Sequence, residues 1–143
     1  MEGFGFTHDV RVRFAETDAQ GIAHHASYVV WLEEARVAYL AANAGGYPAI
    51  RARGIEALTT GVEIEYHQAA EFDDVLTIGV RCTEIRGARF RYAYRVERAG
   101  ERIATASTLH ATVDRDTYRP VRVPEWFVAD VLRSEPTPPA TRP

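Results

Sequence analysis

The chain has 143 residues, 46% of them apolar and 26% charged, with a formal net charge of −3. That length suits one domain with a real core, and the composition is that of a soluble globular protein. The acidic balance excludes a strongly basic nucleic-acid binder, leaving room only for a local arginine cluster.

Residues 1–9 hold no basic segment followed by an apolar block, so no secretory leader is visible. The first element is Val10-Arg11-Val12-Arg13-Phe14, whose alternation predicts a half-buried strand. Turn formers follow from Glu16 to Gly21. From Ser27 the period becomes helical: Tyr28, Trp31, Leu32, Ala35, Tyr39 and Ala42 share one face, Ser27 is a plausible N-cap, and Gly45-Gly46 ends the helix. After a connector over 49–54 the chain reads as strands: Val62 to Tyr66, Val75 to Val80, Phe90 to Val96, and Ile103 to Val113. The single cysteine, Cys82, falls at the end of the second of these runs, where it reads as a small core residue; alone, it cannot form an intramolecular disulfide. Pro124 to Leu132 suits a short helix. Residues 134–143 read as a disordered tail, leaving one domain over 1–133. No apolar run approaches the ~20 residues needed to span a bilayer, so a cytoplasmic protein with no membrane or nucleic-acid partner is expected.

This order predicts an α+β domain: a long central helix wrapped by a curved five-stranded antiparallel sheet, the hotdog arrangement. The sheet cannot leave both faces apolar in water, so the Trp31–Leu32 stripe should pack on one of them.

The chemistry concentrates between the first strand and the helix. Glu16-Thr17-Asp18-Ala19-Gln20-Gly21-Ile22-Ala23-His24-His25-Ala26-Ser27-Tyr28 puts a carboxylate, a glycine and two histidines beside a helix start. Free N–H groups there favour negative charge and can serve as an oxyanion hole. Asp18 is placed to attack a carbonyl or to deprotonate water, and Gly21 allows the close turn this requires. No G-x-S-x-G elbow is present.

This stretch, with Val12-Arg13-Phe14 before it and Trp31-Leu32-Glu33-Glu34-Ala35-Arg36 after it, resembles the 4-hydroxybenzoyl-CoA thioesterase family of hotdog proteins. The resemblance extends over about residues 8 to 128. It implies that Asp18 is the catalytic carboxylate and that the His25 N–H polarises the thioester carbonyl, with the His25 ring assisting. Gly21, His24, Ser27, Tyr28 and Glu34 are the other candidates around the substrate, although for Glu34 a solvated carboxylate paired with a nearby arginine is the reading its helix position favours. Two residues depart from the family pattern: Ser27 stands where Asn is usual, and Phe14 where many relatives carry Tyr.

Arg86, Arg89 and Arg91 bracket the Gly87-Ala88 turn. By resemblance they meet the phosphates of coenzyme A; by residue type alone they are a solvated hairpin. His8, His67 and His110 lack ligand spacing, so no metal or other cofactor is expected. The expected activity is hydrolysis of an acyl-CoA to the free acid and CoA. The alternatives are an acyl-carrier-protein thioesterase and a non-catalytic acyl-CoA-binding module. Pairing into a homodimer or homotetramer follows by resemblance, and exposed edge strands give it a physical reason.

Overall fold

The computed structural model describes residues 1–142. Its elements in chain order are β1 (Phe6–Arg11), α1 (Ser27–Asn43), α2 (Tyr47–Ala52), β2 (Ile55–Tyr66), β3 (Val75–Arg86), β4 (Arg89–Arg98), β5 (Glu101–Asp114), α3 (Glu125–Ser134) and β6 (Ala140–Arg142). The first five strands form an antiparallel sheet in the order β1-β3-β4-β5-β2. Helix α1 crosses one face. Its predicted stripe is buried except at its end, where Ala42 is exposed: Tyr28, Trp31, Leu32, Ala35 and Tyr39 pack on Leu76, Ile78, Val80, Tyr92, Tyr94 and Val96. No helix among the described residues is long and apolar enough to cross a membrane.

Several details differ from the sequence reading. β1 ends at Arg11, and Phe14 sits in a single 3-10 turn with 76% of its surface exposed. The Glu16 carboxylate takes the Arg13 N–H at 2.8 Å and bends the chain out of the strand. The connector contains α2, which starts behind Gly46 (φ 92°) with Pro48 in its first turn. β2 begins at Ile55 and contains an irregularity between Thr59 and Gly61. The extra residue there switches the inward-facing side chains from Ile55, Ala57 and Thr59 to Ile64 and Tyr66.

The tail also differs. Ser134 closes α3, and Glu135 is buried, accepting the Cys82 N–H at 2.9 Å and the Tyr39 hydroxyl at 2.5 Å. Ala140–Arg142 lie parallel to Glu84–Arg86, making a sixth strand beyond the end of β1. The Pro- and Thr-rich composition gives no hint of this, because β1 pairs with β3 only over Val75–Val80 and leaves the Cys82 amide needing an acceptor. Pro143 lies outside the described residues.

Candidate active site

The loop before α1 is a tight, self-bonded turn. The Asp18 N–H donates to the Ile22 carbonyl at 2.9 Å, and the Gly21 N–H donates to the Asp18 carbonyl at 3.0 Å. The Asp18 carboxylate accepts the Gln20 N–H at 2.8 Å through Oδ1. Gly21 has φ 81° with open space around it, so the backbone conformation, not crowding, requires glycine here. Asp18 is half-buried, and its second carboxylate oxygen, Oδ2, has no hydrogen-bond partner among the described residues.

Glu16 ties this turn to the helix. It is 9% exposed and accepts Trp31 Nε1–H at 2.7 Å as well as the Arg13 N–H. Burial alone would raise its pKa, but these donors and the Arg13 guanidinium together hold it below the usual value. The Glu16 carbonyl also accepts the His24 N–H at 2.7 Å and the Ser27 hydroxyl at 3.2 Å. Ser27 therefore does not cap α1. The cap position is Ala26, which has no side chain to bond the helix amides.

The two histidines have separate tasks. His24 Nδ1 accepts the Ala26 N–H at 3.1 Å, so its proton resides on Nε2. The exposed His25 ring stacks on it with centroids 4.3 Å apart. The His25 carbonyl accepts the Tyr66 hydroxyl from β2 at 2.9 Å. The His25 N–H has no acceptor among the described residues. An unpaired N–H thus stands at the helix start, close in sequence to Asp18.

The remaining candidates lie elsewhere. Tyr28 is 3% exposed and packs between Trp31 and Tyr66, so it belongs to the core beneath the loop; burial raises its phenol pKa. Glu34 is engaged by His8 of β1 at 3.0 Å, not by an arginine. Arg86, Arg89 and Arg91 share a hollow of about 160 Å³ with Glu84, Phe90 and Leu109 at the β3–β4 hairpin. Across the sheet, Phe90 pairs with His110 and His110 with Thr59, whereas the loop adjoins Tyr66. Thr59 and Tyr66 are roughly 20 Å apart at the rise of an extended strand. One chain therefore does not bring the hairpin to Asp18.

A larger cavity of about 400 Å³ lies at the hairpin end, between α1, α2, the inner face of the sheet and α3. Its walls are chiefly apolar, with Glu33, Arg36, Thr59, His110 and Thr112 as polar members beside the Tyr47 and Tyr92 phenols. His110 is 2% exposed, and its pKa is pushed down to about 3 by burial and then by the Arg36 guanidinium. Nothing from Thr17 to Ala26 lines this cavity.

The family model described as the thioesterase-like superfamily matches residues 12–131. The chain belongs to that superfamily. Relatives include the acyl-CoA thioester hydrolase YbgC of Shigella flexneri, 31% identical over 87% of this chain and 94% of that one. Another is the 1,4-dihydroxy-2-naphthoyl-CoA hydrolase of Synechococcus elongatus, 30% identical over 81% and 90%. Among solved structures, a hypothetical protein from Thermus thermophilus superposes with a TM-score of 0.84 at 30% identity, covering 90% of this chain and 98% of that one. The fold is the hotdog fold of this superfamily.

Within the superfamily frame, sequence reasoning missed Glu16 as the clamp of the loop and Tyr66 as the support of His25. Glu16 stood in the matched motif, so its position was visible; its bond to the Trp31 indole was not. Nothing in the sequence singled out Tyr66, which lies 41 residues from His25.

Proposed function

We propose that this chain hydrolyses acyl-CoA thioesters, with Asp18 as nucleophile or general base and the His25 N–H holding the carbonyl oxygen. The observation that carries the reading is the unpaired His25 amide at the start of α1 beside a turn that presents the Asp18 carboxylate. As nucleophile, Asp18 adds to the carbonyl carbon, the C–S bond breaks, and CoA leaves as a thiolate. Water then opens the resulting anhydride. As general base, Asp18 takes a proton from the water that attacks, and the same bond breaks. A thiol of pKa ~8.5 leaves readily, so one carboxylate suffices without a Ser-His-Asp triad.

The reading extends to a homodimer joined along β2. This strand is a long sheet edge with Leu58, Val62 and Tyr66 exposed at 39%, 41% and 46%. An unpaired apolar edge of this kind invites a second strand. Antiparallel pairing about its midpoint sets the Tyr66 end of one copy against the Ile55 end of the other. The Asp18 loop of one subunit then faces the arginine hairpin and cavity of its partner, which supports a phosphate-binding role for Arg86, Arg89 and Arg91.

Asp18→Asn tests the chemistry. Asn keeps the Oδ1 acceptor for Gln20, so the turn and the melting temperature should be unchanged while thiol release from acyl-CoA falls at least ~100-fold. Equal rates for the two proteins would remove Asp18 from the reaction. Turnover confined to carrier-protein thioesters would replace the CoA assignment.

A further inference from the structure

We propose that, in the acyl pocket which pairing along β2 joins to the neighbouring copy's Asp18, the Thr59 hydroxyl selects acyl groups bearing an oxygen. This rests on the thioesterase reading above and deepens it.

The cavity is well formed yet takes no part in the loop chemistry of its own chain. Its β2 wall is Ile55, Ala57 and Thr59, the end of the strand that antiparallel pairing brings to the other copy's Tyr66 and Asp18 loop. Its volume, about 400 Å³, admits roughly a dozen non-hydrogen atoms at ~30 Å³ each. Val37, Leu40, Ile50, Val123 and Phe127 make most of its surface apolar, which suits the hydrocarbon part of an acyl group.

A buried hydrogen-bond relay that starts at Arg36 aims the Thr59 hydroxyl into this space. Arg36 Nη1 donates to the Tyr94 hydroxyl at 3.1 Å. Tyr94 lies 2.8 Å from the Thr108 hydroxyl, which lies 2.7 Å from His110 Nε2; His110 Nδ1 lies 3.3 Å from Thr59 Oγ1. Tyr94, Thr108 and His110 are each 2% exposed, so water does not reach them to repair a missing bond. Arginine only donates, so the Tyr94 oxygen accepts, and its proton is satisfied only by donation to Thr108. Thr108 then donates to Nε2, which places the imidazole proton on Nδ1, directed at Thr59. The reverse order strands the Tyr94 proton without an acceptor. With its oxygen already accepting, the Thr59 hydroxyl has its own proton free for the cavity.

Two more hydroxyls of the same walls, Tyr92 and Thr112, are buried without a partner. The cavity's polar capacity therefore exceeds what the chain satisfies. A plain hydrocarbon leaves the Thr59 proton idle, whereas a hydroxyl or keto oxygen placed beside Thr59 accepts it.

The test uses pairs of acyl-CoA of equal length, one of each pair carrying a single hydroxyl or keto oxygen moved along the chain. The wild type should prefer the oxygenated member by about tenfold in kcat/KM at one position. Thr59→Val should bring that ratio to near one, and Thr59→Ser should restore it. Val37→Phe, which fills the cavity from an exposed helix position, should shorten the longest acyl group accepted, with about a fourfold loss for each methylene excluded. No preference at any position, or a preference that survives Thr59→Val, overturns the selectivity; an unchanged length profile in Val37→Phe overturns the pocket. Calorimetric binding of the matching free acids separates the two readings. A Thr59-dependent preference in binding without turnover of any thioester keeps the pocket and overturns the enzyme, whereas turnover without a preference does the reverse.

Discussion

Burying His110 as a neutral imidazole makes the fold sensitive to mild acid, and the size of that sensitivity follows from its surroundings. The group is 2% exposed and titrates near 3 in the folded chain against 6.5 when unfolded. A histidine with a depressed folded pKa binds more protons unfolded than folded between those two values. Its contribution is therefore complete above about 6.5 and is lost as pH falls below that, by ~1.4 kcal/mol per pH unit. From pH 7 to pH 5 the loss integrates to about 2 kcal/mol, or roughly 6–8 °C in melting temperature for a chain of this size. Glu16, Asp74 and Asp114 have lowered values, so their contributions are lost only as pH falls below the ordinary carboxylate range near 4. They leave the window between pH 7 and 5 to the imidazole. The assay is thermal unfolding of the wild type and His110→Gln at fixed protein concentration across that window. The variant should melt lower at pH 7, because it disturbs the relay, but its melting temperature should be nearly flat with pH. An identical acid slope in both proteins would refute the assignment of the slope to His110.

Three further outcomes follow from the contacts. Glu16→Ala leaves the Trp31 indole N–H and the Arg13 amide without their acceptor, and should destabilise by about 2–4 kcal/mol; calorimetric unfolding reads the loss, and Glu16→Gln, which keeps one acceptor, should recover part of it. Glu135→Ala strips the acceptor from the buried Tyr39 hydroxyl and the Cys82 amide, with an expected loss of about 2–4 kcal/mol by denaturant titration; a change within ~0.5 kcal/mol would mean that the tail contributes no stability. Arg89→Ala with Arg91→Ala should raise KM for acyl-CoA severalfold, more at low salt, and leave an acyl-pantetheine lacking the nucleotide unaffected.

How much was legible depends on how local each signal is. The α1 stripe was readable because residues at helical spacing must share a face, and the Asp18–Gly21 turn because Asp and Gly carry their own backbone preferences. Ser27 looked like a cap by the same local logic, yet the Glu16 carbonyl took its hydroxyl and His24 Nδ1 took the Ala26 amide. Glu34 was read as an arginine's partner along the helix, but β1 lies alongside and supplies His8 instead. The first half of β2 was missed because the irregularity at Thr59–Gly61 breaks the alternation that reveals a strand. The Glu16–Trp31 bond, the Tyr66 support of His25 and the anchoring of Glu135 link residues brought together only by the completed sheet and helix.

The division of labour along β2 follows from what a single helix can offer a sheet. The start of α1 offers the unpaired His25 amide, which the proposed reading uses as its oxyanion hole, and Glu16 and Tyr66 steady the loop around it. The later half of α1 faces an incompletely filled space lined with Val37 and Leu40, the place the proposed reading gives to the acyl chain. Within one chain the cavity lies beside Thr59 and the loop beside Tyr66, towards opposite ends of β2. The proposed two-fold pairing along the edge strand sets the two ends of neighbouring copies against each other without any change in the fold. The bulge at Thr60 then has a role of its own: by shifting the inward set of side chains midway, it lets one strand present Thr59 to the cavity and Tyr66 to the loop. A regular strand would turn one of them outward.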